Sequence, residues 1–181
     1  MTREFQINEW LNNILKNQEY MIKPASSDAS FRRYFRVISN NQSYILMDAP
    51  PKKENSKPFV DIANVLLKAG LNVPKIYEAD LKKGFLLLSD LGDKTYFGEL
   101  NHENASLLYR DAYLALIKIQ KSADTKSLKL YDESLLMQEL RLFPDWYLKS
   151  HKSYEMNDSE KNVLGSTFDL LIKNKIGRAH V

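Results

Sequence analysis

The chain has 181 residues, 44% hydrophobic and 27% charged, with a formal net charge of +3. That is enough chain for one good core or two small lobes, and it carries no like-charge run of the kind that marks a nucleic-acid binder. Cysteine is absent, which excludes disulfides and thiolate metal sites, and no apolar run approaches the length needed to span a bilayer. Met1 to Lys16 mixes polar, acidic and apolar residues, so no leader peptide is expected. The expected location is cytoplasmic, with no membrane and no nucleic-acid partner. The oligomeric state is open.

Residues 3 to 17 are predicted to form a helix, because Ile7, Trp10, Leu11, Ile14 and Leu15 make one apolar stripe. A short strand follows from Tyr20 to Lys23, closed by Pro24. Ser26, Ser27, Asp28, Ala29 and Ser30 make a small polar turn. Phe31 to Ile38 alternates, with Phe31, Arg33, Phe35 and Val37 on one side and Arg32, Tyr34 and Arg36 on the other. Two asparagines between Ser39 and Gln42 supply hairpin chemistry, and Tyr44 to Met47 is the next strand.

Ala49 to Ser56 is a loop. A helix is expected from about Lys57, with Pro58 in its first turn, Gly70 past its end, and Phe59, Ile62, Ala63, Leu66 and Leu67 buried. Pro74 to Ala79 and Gly84 to Ser89 form a hairpin. The unbroken run Phe85-Leu86-Leu87-Leu88 predicts a strand buried on both faces. After Leu91 and Gly92 the chain turns helical, over roughly 103–121, 132–150 and 158–174. Asn157 with Glu160 forms a capping box for the last helix, and Pro144 is expected to kink the middle one. Trp10 and Trp146 read as core.

The fold class is therefore α+β: an antiparallel sheet plus helix, then helices. Residues 1–91 form one lobe, 92–175 a partial helical lobe, and 176–181 a separate tail.

Backbone N–H groups at a turn of small residues can cradle an anion, which makes Ser27, Asp28, Ala29 and Ser30 a candidate phosphate loop. Taken alone, an ordinary turn explains the same residues. Arginine grips phosphate through its planar fork. Arg33 shares parity with apolar Phe31, Phe35 and Val37, so a ligand or ion-pair role competes evenly with a solvated one; Arg32 and Arg36 read as a solvated face. Leu88 to Gly92 is a lobe connector whose backbone groups could pair with a flat base, or a plain turn. No Walker A, Gly-x-Ser-x-Gly or His-Glu-x-x-His pattern occurs. The histidines at 102, 151 and 180 are scattered. No catalytic residue and no metal ligand is assigned.

Three stretches carry a resemblance: Ser26-Ser-Asp-Ala-Ser-Phe-Arg-Arg-Tyr-Phe-Arg36, Ser43-Tyr-Ile-Leu-Met-Asp-Ala-Pro-Pro-Lys52 and Gly84-Phe-Leu-Leu-Leu-Ser-Asp-Leu-Gly-Asp93. In this order, from about residue 3 to about 174, the chain resembles the anomeric N-acetylmuramate/N-acetylglucosamine kinases of the aminoglycoside phosphotransferase superfamily. The resemblance implies a protein-kinase-like amino-terminal lobe followed by the first helices of the carboxyl-terminal lobe. It implies an ATP-dependent sugar kinase of peptidoglycan recycling, with ATP, magnesium and a sugar as its small-molecule partners. It places Ser27, Asp28, Ala29, Ser30, Phe31 and Arg33 over the nucleotide phosphates, and Ser89 and Leu91 at the adenine edge through their backbone.

The sequence departs from the superfamily pattern twice. The third-strand lysine that usually holds phosphates is matched by Met47, followed by Asp48, so another cation is needed; Arg33 is the candidate. The catalytic His-x-Asp…Asn loop and the metal-binding aspartate that phosphoryl transfer needs are missing, so this chain is expected to be an inactive fragment. The tail Ile176-Gly-Arg-Ala-His-Val181 does not continue the family pattern. It can be written ATC GGA AGA GCA CAC GTC, which resembles a common sequencing adapter, so a non-native tail is expected. Two alternatives stay open: a phosphotransferase of the same superfamily with another acceptor, and a non-catalytic binding module on a kinase-like lobe. The broadly apolar helix at 103–121 argues against the latter, because such a surface wants a partner.

Overall fold

The computed structural model describes residues 2–27, 30–126, 128 and 130–175. The chain divides into two compact units, Met1–Thr125 and Lys126–Val181.

The first unit opens with α1 (Arg3–Ile14), which Thr2 caps by accepting the Phe5 N–H through its hydroxyl. Lys16 and Asn17 then turn the chain with positive φ. Five strands follow: β1 (Met21–Ser27), β2 (Arg33–Ser39), β3 (Gln42–Asp48), β4 (Ile76–Asp80) and β5 (Phe85–Ser89), with α2 (Lys57–Lys68) between β3 and β4. They form one sheet in the order β1-β2-β3-β5-β4, antiparallel at each pairing. The β2–β3 turn uses Asn40 (φ 49°) and Asn41 (φ 59°), the pair of left-handed residues that a two-residue hairpin requires.

Both faces of the sheet are covered. On one, Ile7, Trp10, Leu11 and Leu15 pack on Val37, Leu46, Phe85 and Leu87. On the other, Met47, Leu86 and Leu88 pack with Tyr34, Ile45, Phe59 and Val60. The run from Phe85 to Leu88 is thus buried on both sides, as its unbroken apolar character requires. Burying each such side chain stabilises the fold by about 1.5–3 kcal/mol. On α2, Phe59, Ala63 and Leu66 are half-buried, whereas Ile62 and Leu67 are exposed.

After Ser89 the elements among the described residues are all helices. Short α3 (Tyr96–Glu99) was not evident in the sequence; Thr95 caps it. α4 (Ala105–Ser122) completes the unit, with Leu107, Tyr109, Tyr113, Leu114, Leu116 and Ile117 exposed.

Three sequence expectations are corrected here. Pro24 does not end β1; the strand continues to Ser27, with a register irregularity between Pro24 and Ser26. An edge strand tolerates proline because no ladder bond is lost on its open side. β2 begins at Arg33, so Phe31 and Arg32 precede it. Trp146, read as core, is 67% exposed.

That last correction has its cause in the second unit. There α5 (Glu133–Leu142), capped by Asp132, runs into a π-helical segment, Phe143–His151. Pro144 lacks the N–H that would continue the α-helical ladder. The chain accommodates it by widening its turns rather than by a simple kink. Wider turns also rotate the apolar stripe, so a 3.6-residue period no longer predicts which face Trp146 occupies. α6 (Asp158–Lys175) follows. Its capping box forms as expected: the Glu160 N–H donates to Asn157 Oδ1 at 3.0 Å, and the Asn157 N–H donates to Glu160 Oε2 at 2.9 Å. The proposed tail at 176–181 lies outside the described residues.

Candidate functional site

A cavity of about 520 Å³ opens where the sheet meets its connector. Its sheet side is Tyr34 and Arg36 of β2, Ile45 of β3 and Leu88 of β5. Phe59 of α2 and Pro74 make a second wall, and residues from Ser89 to Thr95 make the third. Even-numbered β2 residues face this side because side chains alternate along a strand. The lining mixes apolar faces with a few convergent polar groups, the usual make-up of a small-molecule site.

The connector is tied down at several points. Arg36 donates to Asp90 through Nε (2.6 Å to Oδ2) and Nη2 (3.2 Å to Oδ1). The Ser43 hydroxyl donates to Asp90 Oδ2 at 2.5 Å, and the Gly92 N–H to Asp90 Oδ1 at 2.9 Å. These donors, the Arg36 hydrogen bond foremost, hold the Asp90 carboxyl well below its ordinary value, at about 2, against the opposing effect of burial. Gly92 has φ +85°, a conformation that glycine adopts without strain. On the other side of Ser89, its N–H donates to the Lys75 carbonyl (2.8 Å), and the Lys75 N–H donates to Ser89 Oγ (2.9 Å).

A second cluster lies on the α1 face, at the start of β2. Asp48 is fully buried and accepts from Arg33 (Nε, 3.0 Å) and Arg3 (Nε, 2.8 Å). Arg3 also donates to the Lys83 carbonyl (2.5 Å), and its guanidinium lies 4.0 Å from the Phe85 ring centroid. Two guanidinium groups on one carboxylate leave the cluster with a surplus positive charge.

The sequence-predicted site residues fall in three places. Ser89 and Leu91 lie together at the cavity edge. Arg33 lies on the opposite sheet face, 47% exposed and engaged by Asp48. Ser27 ends β1 opposite Arg33 in register; Asp28 and Ala29 lie outside the described residues. Ser30 Oγ accepts the Arg32 N–H at 3.2 Å. The Phe31 N–H donates to Glu54 Oε1 at 3.2 Å, and Lys53 Nζ lies 4.4 Å from its ring centroid. Met47, at the expected lysine position, is fully buried beneath α2. Arg32 and Arg36, read from sequence as solvated, are ion-paired to Glu54 and Asp90. Sequence reasoning missed the Arg36–Asp90 pair because its members lie 54 positions apart; the one local signal was Asp90 placed two residues before a glycine.

The second unit has its own smaller cavity, about 340 Å³, lined mainly by Phe143, Leu148, Tyr154, Met156, Val163 and Leu164. Among the described residues no group of three or more His, Asp or Glu side chains is placed to hold a metal ion. No helix among them is long and apolar enough to cross a membrane.

Residues 21–166 match the family described as phosphotransferase enzyme family. The chain belongs to that family. Its antiparallel five-stranded sheet with helices after it matches the amino-terminal lobe of a kinase-like phosphotransferase. Among curated proteins the chain is 46% identical over 158 residues to an N-acetylmuramate/N-acetylglucosamine kinase of Pseudomonas aeruginosa, covering 87% of this chain and 47% of that protein. It is 40% identical over 181 residues to the protein of the same name from Pseudomonas putida, covering 97% and 53%. The Neisseria meningitidis protein of that name is 29% identical over 177 residues, covering 95% and 52%. The chain spans about half the length of these curated relatives. The family resemblance drawn from the three sequence motifs is borne out.

Proposed function

We propose that the complete protein is an ATP-dependent amino-sugar kinase, transferring the γ-phosphate to the anomeric hydroxyl of N-acetylmuramate or N-acetylglucosamine. This chain is its amino-terminal, nucleotide-binding part. The observation that carries the reading is the likeness over 87% and 97% of the chain to two relatives named for that activity. The reading places the reaction in the cytoplasm, within peptidoglycan recycling.

In this reading the adenine base enters the cavity and pairs with Ser89 and Leu91 backbone groups. The size of the cavity and its apolar Ile45 and Leu88 side support that assignment. In this reading the loop before β2 lies over the phosphates, and Arg33, at the start of β2 and paired with Asp48 on the face opposite the cavity, is the cation assigned in place of the third-strand lysine. Arg33→Ala in the complete enzyme is expected to weaken ATP binding and turnover; unchanged values for both would remove Arg33 from the site. Magnesium accompanies ATP in such kinases; among the described residues no group of three or more His, Asp or Glu side chains is placed to hold it.

The experiment uses the complete protein, expressed from a gene read through beyond Lys175 in an independent clone. It is incubated with ATP and each amino sugar, and the product is followed by phosphorus NMR. An anomeric phosphate supports the reading. A folded, ATP-binding protein that turns over neither sugar overturns the acceptor assignment. The 181-residue chain alone is expected to turn over neither.

A further inference from the structure

The Asp90 carboxylate is better satisfied than a surface turn needs. It takes hydrogen bonds from a guanidinium on β2, a hydroxyl on β3 and the backbone of its own connector. Only 9% of its side chain is exposed. Ser89 is gripped from the other side by Lys75. Leu91 follows these two anchored residues directly. Its N–H makes no hydrogen bond among the described residues, and Gly92 turns the chain immediately after it.

We propose that Arg36, Asp90 and Ser43 form a positioning clasp that fixes residues 89–92 so that the Leu91 N–H is aimed into the cavity for a purine base. The proposal rests on the nucleotide reading above and deepens it. Arg36 and Asp90 also line the cavity, whereas Ser43 does not; the part assigned to all three is to hold the backbone of the connector. A backbone donor that is already ordered loses no conformational entropy when the base arrives, so pre-ordering raises affinity without adding a contact. Because the clasp acts at the connector and not at residues 27–33, its effect falls on the base and not on the phosphates.

The test titrates adenosine, ATP and inorganic tripolyphosphate into the 15N-labelled chain, following the Leu91 and Gly92 amides. Asp90→Asn and Arg36→Lys are compared with wild type. Arg36→Lys keeps the charge and loses the two-pronged geometry. Loss of one charge-assisted hydrogen bond is expected to weaken adenosine and ATP alike, by about tenfold, with any tripolyphosphate binding unchanged. Ser43→Ala removes one neutral donor and is expected to give a smaller loss in the same direction. Thermal unfolding of each variant establishes that it is folded. Should the charged variants fail to fold, the Ser43→Ala titration decides.

Wild-type affinity for adenosine in folded variants overturns the clasp and leaves the nucleotide reading standing. Weakened ATP binding with unchanged adenosine binding also overturns it, because the effect then lies at the phosphates. A wild-type chain that binds neither adenosine nor ATP overturns the nucleotide reading and the clasp together.

Discussion

The carbonyl oxygen of Ala49 stands 1.9 Å from where a Cβ on Gly84 would be. The same pair is joined by a hydrogen bond, Ala49 N–H to the Gly84 carbonyl at 2.8 Å. Gly84 has φ +74°, so a side chain there meets both backbone strain and a backbone atom that cannot move aside. Gly84→Ala is expected to destabilise the first unit by about 2–4 kcal/mol, read as a lower urea midpoint. A variant with an unchanged midpoint would show that the β3–β5 junction is able to relax.

Asp90 makes stability depend on pH in the acid range. Its folded value, about 2, lies below its ordinary 3.8. The stabilisation is therefore complete above the unfolded value and is lost as pH falls through the folded one. Urea midpoints for wild type and Asp90→Asn should differ most above pH 4 and converge towards pH 2. A difference that persists at pH 2 would mean that the carboxylate charge is not its source.

The arginines on Asp48 are unequal. Arg3 joins Asp48, the Lys83 carbonyl, Gln6 and the Phe85 ring, whereas Arg33 engages Asp48 and lies 5.5 Å from the Phe35 ring centroid. Arg3→Ala is expected to cost about 2 kcal/mol and Arg33→Ala about 1 kcal/mol. Equal losses in chemical denaturation would contradict this ranking.

The exposed apolar side of α4 predicts self-association. Tyr113, at 61% exposure, and Leu116, at 49%, lie three residues apart on one helical face. Light scattering across a concentration series should detect oligomers of the chain. Tyr113→Lys with Leu116→Lys should reduce them while leaving the unfolding temperature near its starting value. An equally associated double variant would place the contact elsewhere.

Much of the fold was legible because its signals are local. Phe85 to Leu88 announced a strand with two buried faces, Asn40 and Asn41 announced a hairpin turn, and Asn157 with Glu160 announced a helix start. Others needed the third dimension. Whether Pro24 stops a strand depends on whether that strand lies at an edge, a property of the sheet and not of the tripeptide. Pro144 signalled a break in the α-helix, but not that wider turns would follow. At the candidate site, Ser89 and Leu91 came from motif resemblance. Arg36 was passed over because an alternating charge resembles a solvated face until its partner, 54 positions later, is known.

β5 has one further consequence. Helices α1 and α2 rest on opposite faces of a sheet in which these few residues form the shared wall, yet β5 comes last of the five strands in the chain. During synthesis, a nascent chain that has not yet reached Ser89 holds both helices and four strands without the strand that completes both cores. Closure of the first unit is thus a late, length-gated event, and the exposed edge of β3 must be kept from other chains until β5 arrives.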